Sequence, residues 1–152
     1  MTRPSKIVIL LILICSAGVV ATNAQKSPDY KITGLKIVPF DSETGKFQDE
    51  LKPKDERSFF NDLSISLFVA VEIAGQSGSF EVGRKIQITV TEGKKVKTSK
   101  TEQIGLIGDG GKFYVPLWLY PVMCDDVKIT ARIIGQKTAS TMSRTVPFLC
   151  GE

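Results

Sequence analysis

The sequence contains no histidine and only three cysteines among its 152 residues. The absence of histidine excludes Ser-His-Asp and Cys-His catalysis, and it removes the usual ligand of most zinc and copper sites. Cys15 lies in an N-terminal apolar run, which leaves Cys124 and Cys150 in the rest of the chain. If these two are bonded to each other, no free thiol nucleophile is left. We therefore expect a protein that is not an enzyme and that holds no cofactor and no metal.

The apolar run is too short for a typical membrane span. It covers Ile7–Ala21, whereas a transmembrane helix needs about 20 residues. A basic start, a short apolar run and small residues after it are typical of a secretory signal peptide. We predict a signal peptide over residues 1–24, cleaved after Ala24. Cleavage after Ala21 also fits the small-residue rule, and an uncleaved anchor is the other alternative. The expected location is periplasmic, cell-surface or extracellular.

A strong excess of one charge sign is missing as well. The full chain has a formal charge of +4, but Arg3 and Lys6 belong to the predicted signal peptide, so 18 basic residues face 16 acidic ones in the rest. Nucleic-acid binding depends on a concentrated positive charge and is not expected here. Membrane contact is expected only if the N-terminal segment is retained. The predicted partner is an unidentified protein or glycan.

Helical periodicity is missing from residues 25–152. Apolar and polar residues alternate instead, which is typical of half-buried β-strands. The clearest case is Asp62–Ala74, where Leu67 and Val69 share one face and Ser66 lies on the other. The predicted strands are residues 30–40, 62–74, 84–92, 96–104 and 112–120, followed by a hairpin that begins after Cys124.

About seven strands with short connections predict an all-β fold. We expect an antiparallel β-sandwich whose plan resembles immunoglobulin-like or fibronectin-like domains in architecture only. Residues 25–152 would form this single domain. A long irregular stretch at 41–61 is predicted to be a loop.

The C-terminal hairpin predicts a disulfide. Residues 127–133 alternate as a strand, and Gly135-Gln136-Lys137 supplies the turn. If the hairpin folds about Lys137, paired residues have numbers that sum to 274. Cys124 and Cys150 would then lie opposite each other, at a separation that suits a disulfide.

One strand carries the candidate binding residues. In 112–120, the residues Phe113, Val115, Leu117 and Leu119 alternate with Tyr114, Pro116, Trp118 and Tyr120. If the first set fills the core, the second faces outward. Exposed aromatic rings suit protein contacts or stacking on sugars. Tyr114, Trp118 and Tyr120 are therefore the predicted binding residues. The alternative is that the loop at 41–61 covers these rings as a second small cluster.

These observations favour a small exported interaction or accessory module in the cell envelope or outside the cell. A carbohydrate-binding module that uses the aromatic residues is one alternative, and exposed, coplanar Tyr114 and Trp118 would favour it. An envelope-assembly subunit with an uncleaved N-terminal anchor helix is the other. Rings buried by a neighbouring chain would favour that second alternative.

Overall fold

The computed structural model describes residues 29–52, 59–60, 64–120 and 125–149. The predicted signal peptide and both cysteines of the predicted disulfide lie outside these residues. The described part of the chain is built from strands and contains no helix, so no helix in it could span a membrane. The strands are β1 (Lys31–Asp41), β2 (Lys46–Phe47), β3 (Phe59–Phe60), β4 (Ile65–Ala74), β5 (Lys85–Glu92), β6 (Lys95–Gln103), β7 (Lys112–Leu119), β8 (Val127–Ile134), β9 (Ser140–Val146) and β10 (Phe148–Leu149).

Eight of these strands form two antiparallel sheets. The first sheet has the order β2-β1-β4-β7, and the second has the order β6-β5-β8-β9. The short strands β3 and β10 form a separate parallel pair. The predicted all-β sandwich of immunoglobulin-like or fibronectin-like architecture is confirmed, and its seven long strands are the ones that the alternation predicts. The stretch predicted as a loop, 41–61, contains the two short strands β2 and β3.

The core lies between the two sheets. Strand β4 supplies its inward residues from Ile65 to Ile73, and β5 and β8 supply theirs from the opposite sheet. Strand β4 is central in the first sheet, since β1 and β7 pair with it on either side. Ser66 faces outward, as its phase predicts, yet it is buried. The outer side of this sheet is therefore covered in part, which the sequence alternation does not indicate.

The predicted register of the C-terminal hairpin is wrong by one residue. Pairing runs from Val127 with Val146 to Ile133 with Ser140, so paired numbers sum to 273. Gly135 bends the chain directly after β8 with φ of 85°, a backbone conformation that favours glycine. The turn is therefore centred between Gln136 and Lys137 and not on Lys137. A shift of one residue reverses the faces of a strand, so the register argument for the disulfide is lost. Because both cysteines lie outside the described residues, the disulfide itself stays a prediction.

The two edges of the second sheet are β6 and β9. Strand β6 carries several lysines, which discourage pairing with another sheet. At the other edge, β9 lies beside β1 and closes one side of the sandwich. Arg144 of β9 donates hydrogen bonds to the carbonyl oxygens of Leu35 and Leu51, while the Leu51 N–H donates to Ile37 at 2.9 Å. Part of the predicted loop thus runs along β1 and joins the two sheets.

Candidate binding face

The outer faces of the two sheets have different chemistry. On the second sheet, Ser99, Thr89, Thr130 and Ser143 form a row across all four strands. The Thr130 and Ser143 hydroxyl groups lie 2.9 Å apart. Short hydroxyl side chains at these positions can form hydrogen bonds with one another and with water. This face therefore resembles an ordinary solvated sheet surface. The outer face of the first sheet carries aromatic rings instead.

Five rings form an aromatic cluster on that outer face. Pairing of β1, β4 and β7 places Val38, Phe68 and Trp118 in one row, and β2 adds a ring beside Phe40. Neighbouring ring centroids are 5.0–6.2 Å apart, a spacing that is favourable for aromatic pairs. The aromatic cluster consists of Phe40, Phe47, Phe68, Trp118 and Tyr120.

Trp118 is the centre of the aromatic cluster. Its ring contacts the other four, at centroid distances from 5.3 Å to Phe40 to 6.0 Å to Phe47. The side chain is half-buried, and its Nε1 is buried without a hydrogen-bond partner among the described residues. Because Trp118 holds the other rings in place, we expect its truncation to cost stability as well as binding surface.

Two rings of the cluster are largely exposed to solvent. Phe47 is 58% exposed and Tyr120 is 76% exposed. Both rings contact the half-buried Trp118, so the cluster combines exposed apolar rings with a packed base. An exposed apolar patch of this kind is characteristic of an interaction surface.

The rings of the cluster are tilted against one another. Trp118 makes angles of 55° with Phe68, 56° with Tyr120 and 87° with Phe47. Trp118 and these neighbours therefore do not form a flat platform, which is the arrangement that stacking on a chain of sugar rings would use. The geometry fits an irregular apolar surface better than a row of pyranose rings.

A buried carboxylate organises the other half of the same face. Glu72 of β4 accepts hydrogen bonds from Thr33 and Tyr114 and forms an ion pair with Lys112, each at 2.9 Å. The hydrogen bond from Lys112, supported by those from Thr33 and Tyr114, lowers the pKa of Glu72 from 4.5 to about 2. Glu72 in turn raises the pKa of Lys112. The Lys36 Nζ lies 5.5 Å from the centre of the Tyr114 ring.

A groove of about 560 Å³ adjoins this carboxylate, between β1 and β9. Both charge signs line it, with Lys36 and Arg144 on one hand and Glu50 and Glu72 on the other. The remaining lining residues are Thr33, Gly34, Leu35, Met142, Ser143 and Thr145. Among the described residues, no group of three or more acidic, histidine or cysteine side chains is placed to hold a metal ion.

The structure separates the three predicted binding residues. Tyr114 and Trp118 lie on the outer side of β7, opposite the buried Val115 and Leu117, as their phase predicts, and Tyr120 directly follows the strand. Trp118 and Tyr120 belong to the aromatic cluster, but Tyr114 belongs to the Glu72 group.

Three members of the aromatic cluster come from outside the predicted set. Phe68 could have been found, because its phase in β4 places it on the outer face. The sequence also allowed that the stretch at 41–61 would cover the rings, and Phe47 from that stretch does pack on Trp118. The partnership of Phe40 with these rings depends on strand order, which no sequence signal reveals. No protein-family model matches the chain, and no curated protein matches it either.

Proposed function

We propose that this protein is a small exported, non-enzymatic module that binds another protein through the aromatic cluster. The observation that carries this proposal is the combination of two strongly exposed rings, Phe47 and Tyr120, with the half-buried Trp118 that both of them contact. Tryptophan and tyrosine are the residue types most often found at the energetic centre of protein interfaces. The absence of histidine from the sequence supports a role in binding rather than in catalysis.

The surroundings of the cluster fit a protein interface. Interfaces combine an apolar centre with a polar rim, and the Glu72 group supplies such a rim on one side. Lys36 and Lys112 are exposed there, which suits acidic groups on a partner. We therefore expect a partner surface with an apolar centre and at least one carboxylate at its border.

A carbohydrate partner is the alternative. Tyr120 is exposed enough to stack on a sugar ring. The tilts between Trp118 and its neighbours argue against a flat stacking platform, and for this reason we favour a protein. A glycan array probed with the purified protein would test the alternative directly, with Tyr120→Ser as the variant that should lose any signal.

Site-specific photocrosslinking in the native cells tests the proposal. A photoreactive phenylalanine analogue is placed at Tyr120, at Phe47, and at Arg132 as the control. Arg132 is exposed on the outer face of the second sheet. We expect one defined protein adduct from positions 47 and 120, identified by mass spectrometry, and none from position 132. Equal adducts from all three positions, or none from 47 and 120, would contradict the proposal.

A further inference from the structure

Three of the four long edges of the two described sheets are protected against pairing with another chain. Prolines, lysines and bulges are the common protections of a free edge. Strand β7 is interrupted by Pro116, which has no N–H to donate. Strand β6 carries three lysines and a shift in its register with β5. The edge of β1 is covered by Leu51 and by the side chains of Ser140 and Arg144, all hydrogen bonded to its backbone.

Strand β9 has none of these protections. Its inner side covers the core, but its sequence, STMSRTV, contains neither proline nor lysine. Its pairing with β8 runs without a register shift from Val146 to Ser140. The exposed residues of the strand are Thr141, Ser143 and Thr145, and all three are uncharged. The edge of β9 is therefore open to the addition of another strand.

The alternation of hydrogen bonds identifies the backbone groups that lie on this open edge. In an antiparallel sheet, the N–H and C=O of one residue point to the same neighbouring strand, and successive residues point to opposite neighbours. The Ile104 N–H donates to the Arg84 carbonyl at 2.9 Å, so the even-numbered residues of β5 bond to β6 and the odd-numbered ones to β8. The continuous registers of β5 with β8 and of β8 with β9 then direct the odd-numbered residues of β9 outward.

The open edge thus presents three N–H and three C=O groups, those of Thr141, Ser143 and Thr145. No described residue forms a backbone hydrogen bond with them. The groove of about 560 Å³ borders residues 142–145, so a second strand has room to approach β9. An edge with unpaired backbone groups and space beside it is suited to strand addition.

The sequence of β9 is complementary to itself around Ser143. If two copies pair antiparallel with Ser143 opposite Ser143, then Thr141 of each copy lies opposite Thr145 of the other. This register uses every outward N–H and C=O group of both strands. It also places hydroxyl side chains directly opposite hydroxyl side chains, which is a favourable cross-strand combination. A second copy of this chain therefore fits the edge.

The inner side of the strand also tolerates this register. Arg144 would lie opposite Met142 of the second copy, so no like charges face each other directly. The Arg144 guanidinium is directed to its own copy, where it donates to the carbonyl oxygens of Leu35 and Leu51. Self-pairing of β9 leaves these contacts in place.

The basic residues of β8 do not prevent the pairing. Lys128 and Arg132 lie beside Thr145 and Thr141. In the paired state, Lys128 of one copy would be three strand spacings from Arg132 of the other, or about 14 Å. Exposed charges are largely screened beyond about 8 Å at physiological ionic strength, so their repulsion is small.

We propose that two copies of this chain associate through β9 as a symmetric antiparallel dimer, which joins their second sheets into one eight-stranded sheet. This contact goes beyond the proposed binding through the aromatic cluster. The twofold axis would be perpendicular to the second sheet, so both aromatic clusters would face the same side of the dimer. Because the added pairing is short, we expect a weak dimer whose population rises with protein concentration.

Analytical ultracentrifugation of the purified protein at increasing concentrations tests the dimer and its register. The double variant Thr141→Lys with Thr145→Lys places like charges opposite each other, whereas Thr141→Lys with Thr145→Glu places opposite charges there. We expect the first variant to raise the dissociation constant about tenfold or more, and the second to dimerise at least as tightly as wild type. Thr101→Lys is the control, because Thr101 is an exposed residue of the other edge strand, β6.

Amide hydrogen exchange measured by NMR locates the pairing. At high protein concentration the amides of Thr141, Ser143 and Thr145 should become protected, while those of Ser99 and Thr101 on β6 should not. In dilute protein all five should exchange rapidly. The even-numbered amides of β9 should be protected at both concentrations, because they bond to β8.

Melting temperatures show whether each variant folds. If the double-lysine variant does not fold, Ser143→Pro replaces it, because the Ser143 N–H points outward and its loss removes no hydrogen bond to β8. Monomeric wild type at about millimolar concentration, equal dissociation constants for the two charge variants, or no protection of the three β9 amides would overturn the proposal. A dimer that is lost in Tyr120→Ser but kept in the charge variants would also overturn it, since the aromatic cluster would then form the contact. Photocrosslinking to another protein is scored separately, so failure of one proposal does not decide the other.

Discussion

Glu72 shows how a single carboxylate can determine the behaviour of a sheet face. Its side chain is almost fully buried, and burial alone would raise the pKa of a carboxyl group. The hydrogen bond from Lys112 and those from Thr33 and Tyr114 outweigh that effect and lower its pKa to about 2. The charged form is therefore the one that the folded protein favours, and folding is coupled to the ionisation of this residue.

The pH dependence of stability should report this coupling. An unfolded glutamate titrates near pH 4.5 and the folded Glu72 near pH 2, so the unfolded state binds more protons between these values. The stabilisation is complete above about pH 4.5 and is lost as the pH falls towards 2. We expect Glu72→Gln to lower the free energy of unfolding at pH 7 by about 1–3 kcal/mol and to flatten its decline in acid.

Urea unfolding at several pH values measures both effects. Glu102→Gln is the matched control, because Glu102 forms a half-exposed ion pair with Lys100 on the edge strand β6. An exposed pair contributes about 0–1 kcal/mol, and this variant should follow the wild-type pH profile closely. An unchanged acid profile for Glu72→Gln would show that the Glu72 group does not stabilise the fold.

At the scale of elements, β4 is the strand on which the sandwich depends. It pairs with β1 and β7, and its inward residues are completely buried from Leu67 to Ile73. We expect Val69→Asp to cost about 4 kcal/mol or more and to unfold the domain, because it leaves an unpaired charge in the core.

Ala70→Asp is the control on the same strand. Ala70 is half-buried on the outer face, in register with Lys36 and Pro116. A carboxylate there has water and a lysine within reach, so we expect a loss of about 1 kcal/mol or less. Ser66 is the less suitable control because it is buried despite its outward phase. Thermal unfolding compares the two variants. An equal loss of stability in both would mean that β4 does not have one buried inner face and one more exposed outer face.

Sequence alternation predicts the strands well because it reports which side of a strand is apolar. It predicts that Leu67, Val69 and Val115 lie in the core, and the structure buries all three. Strand order follows from packing between distant segments, so the contact of Phe40 with Trp118 was not predictable from either strand. The predicted hairpin register is wrong for a local reason. Gly135 has a positive φ, so the chain turns earlier than a turn centred on Lys137 would require.

At the scale of the whole molecule, we make two linked predictions, one about cleavage of the signal peptide and one about formation of a disulfide. We expect the mature chain to begin at Gln25 and to contain a disulfide between Cys124 and Cys150, because an exported chain with two cysteines normally pairs them. The chain-entropy model gives such a bond about 3–4 kcal/mol of stability.

Intact-mass measurement with and without reduction checks both parts. Reduction should add the mass of two hydrogen atoms, and peptide mapping should join the two cysteine segments. Two free thiols in protein recovered from outside the cytoplasm would contradict the bond. A mass that includes residues 1–24 would show a retained anchor instead of a cleaved signal peptide.

The parallel pair of β3 and β10 has a consequence for how the chain matures during synthesis. Phe59 pairs with Phe148 and Phe60 with Leu149, whereas the first sheet is complete once Leu119 has been made. In a nascent chain, β5 can therefore cover only part of the apolar inner face of that sheet until β8 and β9 emerge, and the β3–β10 pairing can form only after Leu149 has emerged. Export of a completed, unfolded chain would avoid this vulnerable interval, and a ribosome stalled shortly before β10 should hold a chain that proteases still cut within residues 41–61.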